Sequence, residues 1–154
     1  MLTGPAGNAP TGTDKARSIL DYEILFHLDT VRVESISAYP NGILSRYDGK
    51  DGREYEVALI PLDCASKVPE VKVVSAATEP MYRGWYNGRN ENNLHEAVTV
   101  SRQVSGVCDY TFTTLIFPVK RGDPLPVVTM DTDGTVRVSC NGTNHVFNLY
   151  TPDR

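Results

Sequence analysis

The sequence has no excess of basic residues and no long apolar run. Its 15 Lys and Arg residues are outnumbered by 19 Asp and Glu residues, so the formal net charge is −4. Nucleic acids and anionic membranes bind basic faces, and this balance therefore argues against both as partners. No apolar stretch approaches the roughly 20 residues that a membrane-spanning helix needs. With 154 residues, of which 40% are hydrophobic, the chain can bury one core without metal or disulfide support.

Cysteine is scarce and widely spaced. The three cysteines are Cys64, Cys108 and Cys140, and no two of them form a Cys-x-x-Cys pair. Because structural zinc sites usually use such paired ligands, we predict no metal site, and nothing in the sequence indicates a cofactor. The spacing favours buried thiols on strands. One disulfide with one cysteine left over stays open, and so does the redox compartment.

The common catalytic motifs are also missing. The sequence has no Gly-x-Ser-x-Gly elbow, no Gly-x-x-x-x-Gly-Lys loop and no His-Glu-x-x-His. His95 and Glu96 are neighbours, and neighbours on a strand point to opposite faces. Glu54 and Glu56 share a face, and two like charges at this spacing predict a solvated strand edge. We interpret His27 as a structural histidine, and we predict no catalytic residue in this chain.

Along most of the sequence, hydrophobic residues recur at every second position. Ser18–Leu28 alternates in this way, and no stretch shows a convincing helical period. Asp48-Gly49-Lys50-Asp51-Gly52 and Asn141-Gly142 are hairpin-turn signals between such runs. Roughly nine or ten short strands at this spacing predict an all-β fold, an antiparallel β-sandwich.

Two strand boundaries in the second half are predicted from local composition. His95–Val104 alternates as one strand, and Tyr110–Phe117 follows as the next. Pro118–Pro126 contains three prolines, and since proline cannot donate to a strand ladder we predict a connection there.

The first residues differ in composition from the rest. Met1–Thr13 is small and polar with interleaved Gly and Pro, and it lacks the charged-then-apolar layout of a signal peptide. Such a stretch has too little apolar surface to offset its ordering entropy. We therefore predict a flexible tail or linker over residues 1–17 and a β-sandwich domain over residues 18–154. A linker-like start also suggests a piece of a longer protein.

An aromatic and basic loop between strands is the candidate binding site. Aromatic rings offer flat faces on which sugar rings stack, and arginine binds carboxylate or sulfate groups through two parallel hydrogen bonds. The alternative is that the single tryptophan fills the end of the sandwich and its neighbours cover a loop. The candidate ligand-binding residues, for a glycan, are Tyr82, Arg83, Trp85, Tyr86 and Arg89.

Five stretches of the chain carry a resemblance to a known family. They are Ile24-Leu25-Phe26-His27-Leu28-Asp29, Val73-Val74-Ser75, Arg83-Gly84-Trp85-Tyr86, Ala97-Val98-Thr99-Val100 and Tyr110-Thr111-Phe112-Thr113-Thr114-Leu115-Ile116-Phe117-Pro118. Together they resemble the C-terminal β domain of heparinase II/III-like polysaccharide lyases, over about Asp21 to Val119. The combination of Gly-Trp-Tyr with a Thr-Leu-Ile-Phe-Pro-like strand is the most distinctive part.

The resemblance implies a parent enzyme that cleaves uronic-acid-containing polysaccharide by β-elimination. In that family the catalytic Tyr, His, Asn and Arg residues belong to a helical toroid and the sheet next to it, ahead of the matched region. None of them is therefore carried over to this chain. The family usually continues Gly-Trp-Tyr with Ser-Pro, whereas Asn87-Gly88-Arg89-Asn90 follows here.

We therefore expect an accessory domain at the carboxyl end of such a lyase, one that is not catalytic alone. Its expected partners are the catalytic domains of the parent chain and an acidic polysaccharide, and the parent is expected to be periplasmic or extracellular. Two other functions stay open. One is a stand-alone carbohydrate-binding module, and the other is an Ig-like interaction module whose likeness to lyases is only architectural.

Overall fold

The described part of the chain consists of strands, turns and loops. A computed structural model of the protein describes residues 20–30, 32–47, 52–62, 68–79, 83–87, 94–107 and 110–149, without the side chains of residues 86 and 87. The strands are β1 (Leu20–Leu28), β2 (Arg32–Ser35), β3 (Ile43–Arg46), β4 (Tyr55–Pro61), β5 (Glu70–Ser75), β6 (Trp85–Asn87), β7 (Leu94–Glu96), β8 (Val98–Val107), β9 (Thr114–Lys120), β10 (Val127–Met130), β11 (Thr135–Cys140) and β12 (Thr143–Asn148). Within these ranges no helix is long and apolar enough to cross a membrane.

The strands form four antiparallel sheets. The first sheet has the order β1-β8-β5, the central sheet β2-β3-β4-β9 and the third sheet β10-β11-β12. Strands β6 and β7 form a separate two-stranded unit, called the loop hairpin below. The predicted all-β antiparallel sandwich is confirmed. The twelve described strands exceed the nine or ten predicted, because β6 lay within a predicted loop and β7 within a longer predicted strand.

One core lies between the first sheet and the central sheet. Ile43 and Leu59 of the central sheet pack with Val98 and Val100 of the first sheet. These residues belong to the alternating positions that the sequence rhythm assigns to one strand face. The first and central sheets are therefore the two layers of the predicted sandwich.

A second core covers the opposite face of the central sheet. Leu44, Ala58 and Ile60 are buried there, and Val128 of β10 packs against them. Val138 stands directly opposite Val128 in the third sheet and is also buried. The third sheet thus adds a third layer, and the central sheet is buried on both faces.

This burial corrects the prediction for Glu54 and Glu56. Glu54 is exposed as expected, but Glu56 is only 4% exposed. Its carboxylate accepts a hydrogen bond from Arg46 Nη1 at 2.7 Å, and Arg121 Nε lies 3.8 Å from it. Glu56 is therefore a buried ion-pair partner rather than a solvated edge residue, because the third layer covers the face that the sequence alone leaves open to water.

A single tyrosine ties the turn between β2 and β3 to the third layer. The Tyr39 hydroxyl donates to the carbonyl of Pro126 and accepts from the Val128 amide at 2.9 Å. Tyr39 also packs against the second core. One side chain therefore satisfies two backbone groups at the start of β10.

We expect Tyr39→Phe to lower the free energy of unfolding by about 1 kcal/mol, because it leaves a half-buried donor and acceptor without their partner. Tyr55→Phe is the matched control, since Tyr55 is 56% exposed. Urea unfolding of both variants measures the difference. Equal, near-zero losses in both would contradict the role given to Tyr39.

The bounds of two predicted strands are wrong. Strand β9 begins at Thr114 and runs through Pro118 to Lys120, whereas the prediction ended it before the proline. An edge strand tolerates proline because the missing amide can face away from the ladder. The predicted strand His95–Val104 is two strands, since the chain leaves the loop hairpin at Ala97, whose amide donates to Gly84 O at 2.9 Å.

The predicted turn at Asn141-Gly142 is confirmed. Both residues have positive φ, 49° and 78°, as a two-residue type I′ hairpin requires. It joins β11 to β12 in a continuous ladder from Cys140↔Thr143 to Thr135↔Asn148. Residues 48–51 of the other predicted turn lie outside the described residues.

Candidate functional site

The segments on either side of residues 80–82, Ala77 after β5 and Arg83 before the loop hairpin, are bonded to each other near the outer face of the first sheet. Arg83 and Ala77 exchange two backbone hydrogen bonds at 2.9 and 3.0 Å. The Ala77 carbonyl also accepts the indole N–H of Trp85 at 3.0 Å. One carbonyl therefore fixes both Arg83 and Trp85, the two predicted site residues whose side chains are described.

Gly84 attaches this segment to the first sheet. Its amide donates to the hydroxyl of Thr99 at 3.0 Å, and its carbonyl accepts from the amides of Ala76 and Ala97. Its φ is +72°, and a Cβ there would lie 2.8–2.9 Å from backbone atoms of Ser75, Ala76 and Ala97. Only glycine combines this conformation with so close an approach.

Arg83 reaches from the loop to a carboxylate on β1. Its guanidinium lies 3.0 Å from Glu23 Oε1, and the same oxygen accepts hydrogen bonds from Ser101 and Gln103. These donors, Ser101 first, then Gln103 and Arg83, lower the pKa of Glu23 from its ordinary value of 4.5 to about 2. A carboxylate held in its ionised form by three donors is a poor proton acceptor, so this cluster positions the loop rather than performing acid–base chemistry.

The lowered pKa makes the stability of the domain depend on pH. A carboxyl group whose pKa is lower in the folded state stabilises above its unfolded pKa, and this contribution is lost as pH falls through the folded value. The folded pKa of Glu23 is about 2 against an ordinary 4.5. The stabilisation is therefore complete above about pH 5 and is lost progressively down to about pH 2.

We expect Glu23→Gln to lower the thermal midpoint at pH 6 and to bring it close to that of the unmodified protein near pH 2. Melting curves recorded by circular dichroism from pH 6 to pH 2 measure this convergence. The control is Glu70→Gln on β5 of the same sheet, whose side chain is 67% exposed and whose difference from the unmodified protein should be small throughout. A Glu23→Gln difference that stays constant with pH would contradict the assignment.

Trp85 is half-buried and lies opposite Glu96 in the loop hairpin. Because its indole N–H is already bonded to Ala77, only ring surface remains for an outside ligand. Trp85 is therefore held in place by the Ala77 carbonyl, and its binding of a glycan stays a prediction.

A short polar chain links β1 to the same loop. The Thr99 hydroxyl, which accepts from the Gly84 amide, lies 3.2 Å from His27 Nδ1. Thr99 is fully buried, while His27 is exposed. His27 therefore contacts Thr99, the residue that holds Gly84 of the loop in place. This contact agrees with the structural role predicted for His27.

The structure describes only part of the predicted site. Tyr82 and Arg89 lie outside the described residues, and Tyr86 is described only as a backbone position in β6. The sequence interpretation missed Glu23, Ser101 and Gln103. Alternation does place Glu23 on one face of β1, but only the register Glu23↔Gln103 and Leu25↔Ser101 brings these groups together.

Metal ligation finds no support among the described residues. They contain no group of three or more His, Cys, Asp and Glu side chains that could hold a metal ion. Cys140 is a half-buried free thiol, and Cys64 and Cys108 lie outside the described residues.

The described fold and loop define an all-β protein of several antiparallel sheets in which a short hairpin is attached to the outer face of one sheet. Compared with protein-family models, with curated proteins and with solved structures, the chain matches none of them.

Proposed function

We propose that this chain is the C-terminal β-sandwich accessory domain of a heparinase II/III-like polysaccharide lyase and is not catalytic alone. Its job in this proposal is to pack against the catalytic domains of a periplasmic or extracellular parent enzyme. The sequence resemblance suggests the family, and one structural observation supports the packing role. That observation is an apolar strip left open on the central sheet.

The apolar strip consists of Tyr55, Ile116 and Pro118. Ile116 stands directly opposite Leu59, and Pro118 directly opposite Val57, so they share the face that the first sheet covers elsewhere. Leu59 is 3% exposed, but Ile116 is 59% exposed and Tyr55 is 56% exposed. The first sheet reaches the start of β9, where Arg102 donates to the Thr114 hydroxyl at 2.7 Å, but it leaves the strip uncovered. Neighbouring exposed apolar side chains of this kind are typical of a surface that another domain covers.

The polar groups of the loop support a non-catalytic role. Glu23 and Arg83 are bonded to each other, and Ser101 donates to the same carboxylate. A β-elimination needs a group that can accept a proton and another that neutralises the uronate. In this cluster both charges already neutralise each other.

A lyase assay of the isolated chain is the first test. We expect no new absorbance from unsaturated uronate products with alginate, heparan sulfate or hyaluronan. Appearance of that absorbance would overturn the non-catalytic role. Sequencing the coding region upstream is the second test, and a long helical region with Tyr, His and Asn residues is expected there. A region without helical hairpins would overturn the family assignment.

The apolar strip has its own test in the longer protein. Ile116→Glu should weaken packing against the catalytic domains and make the linker between them more sensitive to protease. Val127→Glu is the control, because Val127 is similarly exposed, at 64%, but lies on β10 of the third sheet. Equal protease sensitivity of the two variants would contradict docking through the strip.

The alternative of a stand-alone carbohydrate-binding module has weaker support. A shallow cavity of about 330 Å³ lies beside the loop and is lined by Asp21, Tyr22, Glu23, Gln103 and Ser105. Its two carboxylates disfavour an acidic glycan, and Arg83 is already paired with one of them. Titration with oligosaccharides while following Trp85 fluorescence tests this alternative. A saturable change in the fluorescence would favour it over the accessory role.

A further inference from the structure

Strand β12 forms an open edge of the third sheet. All six of its residues, Thr143–Asn148, are exposed, and no other described strand pairs with the edge that faces away from β11. Val146 is 59% exposed and Phe147 is 40% exposed. An edge strand with apolar side chains is a template for pairing with another strand.

The other long edge strands in the described ranges are protected against such pairing. Strand β1 has acidic residues and a register shift, β5 has charges of both signs, and β9 has a proline and a lysine. Charged side chains, proline and bulges are the usual means of blocking an edge. Strand β12 has none of these, and its ladder with β11 runs through six pairs in unbroken register. Its sequence is Thr143-Asn144-His145-Val146-Phe147-Asn148.

The hairpin turn decides which backbone groups point outward. A two-residue turn at Asn141-Gly142 makes Cys140 and Thr143 a hydrogen-bonded pair, and such pairs alternate along an antiparallel ladder. Asn144 and Val146 are therefore non-bonded positions toward β11. Their N–H and C=O groups point to the open edge, where a further strand would form hydrogen bonds with them.

We propose that β12 pairs antiparallel with β12 of a second copy of this chain, around a two-fold axis at Val146. This register places Val146 opposite the partner's Val146 and pairs the stretch Asn144–Asn148 of each strand with the same stretch of the other. It places His145 opposite the partner's Phe147, and Asn144 opposite the partner's Asn148. The valines form an apolar pair, His145 and Phe147 form a pair of rings, and the two asparagines form a pair of amides. All three are favourable cross-strand pairs.

The absence of charge along the strand selects a second copy as the partner. When a strand pairs with its own copy, both sides of the interface carry the same set of side chains, so a strand with charges of one sign would repel itself. Strand β12 is uncharged and nearly symmetric in side-chain character about Val146. The two third sheets then join into one continuous six-stranded sheet. This dimer uses a different sheet from the apolar strip and does not depend on the proposed function.

Replacing Val146 at the two-fold axis by a charged residue tests the proposal. We expect the unmodified protein to show twice the mass of one chain in light scattering after size-exclusion chromatography. Val146→Lys and Val146→Glu each place two like charges face to face, and each should raise the dimer dissociation constant about tenfold or more. An equimolar mixture of the two variants should associate again, because a lysine then faces a glutamate across the axis.

Val127→Lys is the matched control, because Val127 is 64% exposed on β10 at the opposite edge of the same sheet. This variant should remain a dimer, and circular dichroism should show that all three variants stay folded. A monomeric unmodified protein, dissociation by Val127→Lys to the same extent as by Val146→Lys, or a mixture that stays monomeric would each overturn the proposal.

Discussion

Gly84→Ala is expected to lower the free energy of unfolding by about 3 kcal/mol, within the range of severe single substitutions. Two costs combine at this position. A left-handed backbone costs a residue with a Cβ roughly 1–2 kcal/mol. The new Cβ would also lie 2.8–2.9 Å from backbone atoms of Ser75, Ala76 and Ala97, and backbone cannot move aside as a flexible side chain can. The loop hairpin must then shift off Thr99.

Gly52→Ala separates these two costs. Gly52 has φ +71°, almost the same as the +72° of Gly84, but no atom lies within 4 Å of its Cβ position. The free energy of unfolding of Gly52→Ala should therefore fall by only about 1 kcal/mol, the cost of the left-handed backbone conformation alone. Urea unfolding of both variants gives the difference. Equal losses would mean that the close approach at Gly84 adds nothing.

Glu56→Ala is the second substitution with a large expected effect. Removing one partner of a buried ion pair costs roughly 3–5 kcal/mol when the remaining charge stays buried. The Arg46 side chain is 34% exposed, so its charge keeps some hydration and a loss near 3 kcal/mol is expected. Glu56 thus contributes to stability through the arginine charges that it neutralises.

Glu34→Ala is the control, because Glu34 contacts the same guanidinium. Glu34 Oε2 lies 2.8 Å from Arg46 Nε, and Glu56 Oε2 lies 2.7 Å from Arg46 Nη1. The Glu34 side chain is 44% exposed and that of Glu56 is 5% exposed. A surface pair contributes under about 1 kcal/mol, so guanidinium chloride unfolding should separate the two variants clearly. A Glu34→Ala loss as large as that of Glu56→Ala would show that burial is not the cause.

Much of the fold could be predicted from local chemistry. Alternation identified β1 correctly as a strand, and Asn141-Gly142 identified a hairpin, because both signals lie within a few neighbouring residues. The failures occurred where a distant element decides the outcome. Pro118 looks like a strand breaker until β9 is known to be an edge, and Glu56 looks solvated until the third sheet covers it.

The candidate site shows the same difference between what local sequence indicates and what distant contacts decide. The sequence identified Arg83 and Trp85 as noteworthy, because aromatic and basic residues stand out in composition. It did not show that Arg83 pairs with Glu23, since the two lie 60 positions apart. That contact gives Arg83 a structural role, the anchoring of the loop, that the sequence did not indicate.

The sequence by itself determined the all-β class and the face of each alternating strand, because side-chain direction in a strand repeats every two residues and needs no partner. Only the tertiary structure decided the stacking order of the sheets, the burial of Glu56 and the pairing of Glu23 with Ser101, Gln103 and Arg83. Those outcomes depend on strand register and on which layer covers which face. Both are set by contacts between residues far apart in the chain.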